Sequence, residues 1–181
     1  MNNPQAIMLA TASSSTQSSS RMPGNSAENP IMIEMQELEL LKTIHNPSTS
    51  DLTILVRGLG LRKVVCTLLK IYDGPQNLVL LVNATSEEEA SIIEELGAMG
   101  YRKPWLIVVG YEMGKKDRAS LLKQGGLISV TSKILVVDML QSDIPTELIT
   151  GLMVLHAERM TALSLEAFII RLFREKTKPD S

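Results

Sequence analysis

Short apolar runs and amphipathic stretches alternate along the chain from Asp51 onward. LTILV (52–56) is a nearly continuous apolar run of strand length, and it leads into Gly58-Leu59-Gly60. Leu61, Val64, Val65, Leu68 and Leu69 then recur at helical spacing, with Arg62, Lys63, Thr67 and Lys70 on the other side. YDGPQN (72–77) reads as a turn and LVLLVNA (78–84) as a second buried strand. TSEEEASIIEELG opens with a capping-box pattern, Thr85-x-x-Glu88 or Ser86-x-x-Glu89, and is expected to close at Gly97. WLIVV (105–109) is a third strand, and KKDRASLLKQGG (115–126) a helix ended by its glycine pair. LISVT (127–131) is a fourth strand. Thr131 or Ser132 can cap a helix through ILVVDMLQ, although that run by itself equally fits a strand. ELITGLMVLH (147–156) is the next strand and TALSLEAFIIRLFREK (161–176) the last helix. Strand and helix in alternation predict a three-layer α/β fold around a parallel sheet. No repeat of solenoid period is visible.

Upstream the pattern changes. Residues 1–30 are rich in Ser, Thr, Asn and Pro, with TASSSTQSSS at their centre. Such a segment buries too little apolar surface to offset its ordering entropy, so a disordered arm is expected there. In IMIEMQELELLKTI (31–44), Ile31, Met35, Leu38 and Leu41 fall at helical spacing, and NPSTSD is a loop. The expected organisation is an arm over 1–30 and one domain over 31–178.

Composition narrows the classes. A chain of 181 residues is long enough for one domain with a real core. Its net charge of -2 neither demands nor excludes nucleic acid, and its 3% aromatic content argues against a base-stacking platform. Cys66 is the single cysteine, which rules out an internal disulfide framework and a multi-cysteine zinc site and fits a reducing compartment. It shares a predicted helix face with Arg62 and Lys70, but no histidine partner is visible in the sequence, so it reads as structural. No apolar run reaches the roughly 18 residues of a membrane span, and the N-terminus lacks the pattern of a secretory signal. His156-x-Glu158 matches two letters of a zinc-deaminase motif whose paired cysteines are absent. Glu87 to Glu89 read as a first-turn dipole effect. Arg102, Lys103, Lys115, Lys116, Arg118, Lys123 and Lys133 give a modest local excess of positive charge, either a solvated face or a DNA-facing patch.

RGLGLRK, LVLLVNATSEEE, QGGLISVTSKILVVDML, IPTELITGLMVLHAERM and EAFIIRLFREK occur in this order over roughly residues 35–177. In them the chain resembles the helicase-like lobe of the XPF family of structure-specific DNA-repair endonucleases, a degenerate relative of second-superfamily helicases. The resemblance implies a RecA-like parallel sheet and a nuclear protein. It also implies branched or damaged DNA and repair proteins as partners. The nuclease domain and the region that holds the small partner subunit lie further on in the family, so the chain is expected to be an N-terminal fragment or truncated product, without nuclease activity of its own.

Active helicases carry a Lys and a hydroxyl residue directly after the phosphate-loop glycines, to neutralise phosphate charge and to bind Mg²⁺. Aligned on Gly58 and Gly60, those positions hold Leu61 and Arg62. Lys63 is one residue late, about 100° further round a helix. The Asp-Glu-Ala-His position of active relatives reads Leu155-His156-Ala157-Glu158. Both losses predict a site that has kept its fold and lost ATP hydrolysis, and no cofactor or metal is expected. The glycines then serve as a strand-to-helix turn. Thr131, Ser132 and Lys133 sit where helicases place a short phosphate-contacting motif at a helix N-terminus. With Lys123 they are the candidate DNA contacts; a plain helix cap is the competing reading of the two hydroxyls.

Overall fold

The structure is a computed structural model that describes residues 5–12, 51–56, 60–71, 74, 77–101, 104–144 and 146–177. Six strands form one sheet: β1 (Gln5–Ala12), β2 (Asp51–Val56), β3 (Leu78–Val82), β4 (Ile107–Val109), β5 (Gly126–Val130) and β6 (Ile149–Val154). Their spatial order is β2-β1-β6-β3-β5-β4, and every pairing is parallel. Five helices accompany them: α1 (Leu61–Ile71), α2 (Ser86–Ala98), α3 (Lys115–Gln124), α4 (Ser132–Leu140) and α5 (Leu165–Thr177).

The helices lie on both faces of the sheet, as the alternation requires. β3 shows why its run is apolar throughout. Val79 and Leu81 pack with Val65, Leu68, Ile92 and Leu96 of α1 and α2, whereas Leu78, Leu80 and Val82 pack with Leu135, Met139, Ile169 and Phe173 of α4 and α5. A strand buried on both sides has no polar face to show. In β6 the register against β3 slips between Leu78 and Val79, leaving Thr150 as an extra residue. Its hydroxyl donates to the Leu78 carbonyl at 3.0 Å. The bulge resets the alternation, so Ile149 and Leu152 both reach the α4–α5 side.

Local signals set most boundaries. Thr85 caps α2 in a reciprocal box with Glu88, and Thr131 caps α4, settling ILVVDMLQ as helix. Ser164 Oγ accepts from the Ala167 N–H at the start of α5. Gly125 and Gly126, both at positive φ, end α3. Gly97 does not end α2 as expected; the helix runs on to Ala98. The residue is small for another reason. A Cβ there would lie 2.9 Å from the Trp105 ring, which is held by a 2.8 Å hydrogen bond from its Nε1 to the Tyr101 carbonyl.

The expectation of a disordered arm over residues 1–30 is corrected at residues 5–12. They form β1, paired with β2 from Ile7↔Asp51 to Ala12↔Val56 and with β6 from Gln5↔Gly151 to Met8↔Val154. The polar serine run pulled the whole segment towards an unstructured reading, while QAIMLATA has enough small and apolar character to pair on both edges. The rest of the arm, the expected helix over 31–44 and the NPSTS part of the loop that follows it lie outside the described residues. Among the described residues, no helix is long and apolar enough to cross a membrane.

Candidate functional site

In an open parallel sheet, ligands enter where neighbouring strands send their helices to opposite faces, beyond the strands' carboxyl ends. β3 leads to α2 on one face; its neighbours β5 and β6 lead to α4 and α5 on the other. β3 is therefore flanked by two such crevices. The first turn of α2 closes both. Glu88 reaches β6's end, with its Oε1 2.9 Å from His156 Nε2. Glu89 reaches the other way and accepts a 2.6 Å hydrogen bond from the buried Ser129 hydroxyl of β5.

The β3–β6 crevice brings together Leu155, His156 and Glu158 of the sequence-predicted site with Glu88 of α2. Asn83 and His156 end the two strands, both in the left-handed region at φ 67° and 57°. Asn83 Nδ2 donates to the Leu155 carbonyl at 3.1 Å, and the Leu155 N–H to the Val82 carbonyl at 3.0 Å. The Leu155 side chain is 1% exposed and belongs to the core under α1 and α2. This strand therefore ends in a buried hydrocarbon. His156 lies between two acids, with Nδ1 3.5 Å from Glu158 Oε1. Because ionised Glu88 only accepts, the His156 Nε2 must carry the proton between them. Partial burial pushes the Glu88 carboxyl upward, but hydrogen bonds from Thr85 and His156 and the His156 charge outweigh it and hold the carboxyl below its ordinary value.

On the α1 side the described residues are also paired. Gly60, at φ 65°, makes the turn into α1, and its carbonyl accepts from the Val64 N–H. Arg62 turns away towards α2. Its Nη1 donates to Ser91 Oγ at 2.8 Å and its Nε lies 3.2 Å from Glu95 Oε2. Arg62, Val65, Glu88, Ser91, Ile92 and Leu155 line a pocket of about 200 Å³ between the two helices. Gly58 and the Leu61 side chain lie outside the described residues. Among the described residues, no group of three His, Cys, Asp or Glu side chains is placed to hold a metal ion. Cys66 shares a face of α1 with Arg62 and Lys70, but its side chain is fully buried while theirs are exposed. Burial, reinforced by the Glu95 charge and partly offset by Arg62, pushes its thiol up to about 12.

The candidate DNA contacts are not one cluster. The Thr131 hydroxyl accepts from the Ile134 N–H. Ser132 is buried and donates to Glu166 Oε1 at 2.5 Å, which sets a carboxylate beside the motif. Lys133 is exposed at the start of α4. Lys123 is exposed at the end of α3, the other end of β5, roughly 16 Å away at strand rise. Lys115 lies 2.8 Å from Asp143 Oδ2. Arg118 holds Asp138 in a two-pronged pair at 2.8 and 2.9 Å. Lys116 is exposed, and Arg102 and Lys103 lie outside the described residues. The clamp residues Glu88 and Glu89 were not singled out as site residues from sequence. Their partners stand 68 and 40 positions away, beyond any local signal.

The parallel sheet with helices on both faces defines a class: a three-layer α/β lobe whose two crevices beside β3 are spanned by Glu88 and Glu89. Known proteins show the lineage. The chain is 36% identical to the DNA repair endonuclease XPF of Mus musculus over 156 residues, 86% of this chain and 17% of that protein. It is 38% identical over 128 residues to the DNA repair protein rad16 of Schizosaccharomyces pombe, covering 70% of this chain and 14% of that protein. With the XPF endonuclease of Drosophila melanogaster it shares 31% over 151 residues, 83% of this chain and 15% of the relative. No sequence-family model matches the chain. The chain belongs to the XPF family of DNA-repair endonucleases, and it spans about a sixth of the length of these relatives.

Proposed function

We propose that this chain is a non-catalytic docking lobe that engages branched or damaged DNA during excision and crosslink repair in the nucleus, with ATP hydrolysis lost. The burial of Leu155 at the end of β6 carries the reading. A core leucine at the position of the metal-binding carboxylate, beside a Glu88–His156 pair that spans the crevice, supports the loss of Mg²⁺-dependent hydrolysis. What remains is surface. The relatives named as DNA-repair endonucleases support DNA as the partner, and Lys116 and Lys133 are exposed cations near the carboxyl edge of the sheet.

The test is fluorescence anisotropy with a labelled splayed-arm DNA at two salt concentrations. Docking predicts affinity that falls with salt, and a Lys133→Glu variant that reduces the salt slope by about 1. Unchanged binding in Lys133→Glu and Lys116→Glu would refute this surface.

One observation favours a second reading, a protein-interaction lobe. Val137 and Leu140 are exposed on the same face of α4 as Lys133, one and two turns further on. Binding of a repair protein that is indifferent to salt and lost in Val137→Asp would select it.

A further inference from the structure

β1 is a central strand in an unusual position. It is the bridge between β2 and the rest of the sheet, since β2 pairs with β1 and β1 with β6. Its own chain connection is remote: residues 13–50 separate it from β2, and more than a hundred separate it from β6. Its contribution is therefore that of an extended peptide bound between two parallel strand edges, tethered to its receptor. Each edge presents N–H and C=O groups in a fixed register, six positions along β2 and four along β6. Met8 also packs into the core beneath α5 and α4, and the strand contacts the turn 157–159, next to His156.

We propose that the gap between β2 and β6 is a strand-acceptor site, with residues 5–12 as its donor in cis, and that it accepts the same strand from a second copy of this chain. The recognition is β-augmentation from both sides. Main-chain hydrogen bonds give affinity, and the parallel register with Met8 in the core gives direction. Because donor and acceptor belong to one chain, joining them makes the cis event intramolecular, with an effective concentration on the order of millimolar. At micromolar protein the cis strand therefore holds the site. Trans occupancy appears when the tether is cut or when donor strand is supplied at millimolar concentration.

The experiment uses the full chain with a protease site placed in the serine run 13–20. After cleavage, the expected result is that the N-terminal fragment co-elutes with the body in gel filtration. A fluorescein-labelled peptide of residues 1–14 then replaces it with saturable anisotropy. The same peptide carrying Leu9→Pro, which removes a donor in mid-strand, binds at least tenfold more weakly. Loss of the fragment on cleavage with an unchanged melting temperature would overturn the proposal, because the body would not need the strand. Retention of the fragment without exchange, even in mild denaturant, would overturn it too. Neither outcome bears on DNA binding through α4.

Discussion

Replacing Leu155 by Asp would supply the acidic letter that active helicases carry at the aligned position, and the burial of Leu155 makes the fold suffer first. Leu155 is 1% exposed in the core shared by α1, α2, β3 and β6. Losing a buried leucine costs about 2–5 kcal/mol by analogy with large-to-small replacements. Burying an unpaired carboxylate adds a few kcal/mol more, limited by its tendency to take up a proton. Arg62 lines the adjoining pocket but is engaged by Ser91 and Glu95 and half exposed, so it returns at most about 1 kcal/mol. The sum is about 5 kcal/mol, comparable with the whole stability of many domains. At about 2–4 °C per kcal/mol for a chain of this size, Leu155→Asp melts roughly 10–20 °C lower. Scanning calorimetry measures it, with Leu155→Ala isolating the packing loss and Leu155→Asn the uncharged polar loss. Phosphate release with Mg²⁺ and ATP should stay at background in all four proteins. A Leu155→Asp protein melting within about 2 °C of the parent, or hydrolysing ATP, would refute the argument that the strand end is committed to the core.

Other outcomes follow from the same geometry. Asp138 is 3% exposed and grips Arg118 with both oxygens. Asp138→Ala should therefore cost about 3 kcal/mol in urea unfolding, with Arg118→Met/Asp138→Leu recovering much of it; equal losses in single and double variants would contradict that. Glu88 has a folded-state carboxyl held below its ordinary value. Its stabilisation is complete above the unfolded-state value and is lost as pH falls through the folded one. The stability gap between the parent and Glu88→Gln should thus be widest near neutrality and close in acid; a gap that widens on acidification would reverse the assignment. Cys66, with its thiol pushed up to about 12, should resist thiol reagents in the native state and react on unfolding. Rapid modification of the folded protein would disprove its burial.

The sequence made legible whatever is decided within a few residues. The box at Thr85 and Glu88, the cap at Thr131 and the glycine pair at 125 and 126 all mark observed boundaries. The double-sided apolar run of β3 announces a parallel sheet because only a strand covered on both faces is free of polar positions. Illegible were the features made by distant partners. Gly97 looked like a stop because nothing nearby in sequence reveals the Trp105 ring above it. Glu88 and Glu89 looked like dipole residues, since His156 and Ser129 meet them only in the folded sheet. β1 looked like part of a polar arm because the serine run that follows it outweighed eight residues of moderate apolar content. The sequence aligned Leu155 with a helicase carboxylate; its burial in the core became visible only in the fold.

The place of β1 has a consequence for synthesis. Its partner β6 is translated roughly 140 residues later, which at about 5–20 residues per second is a delay of about 7–30 seconds. Throughout that interval an apolar, strand-forming octapeptide hangs near the ribosome with one receptor edge not yet made. β6 pairs with β3 on its other side, so the four strands β6-β3-β5-β4 can assemble without it. The nascent chain would thus close its sheet last at the segment made earliest, and a holding chaperone that shields short uncharged strands would set how often that closure succeeds.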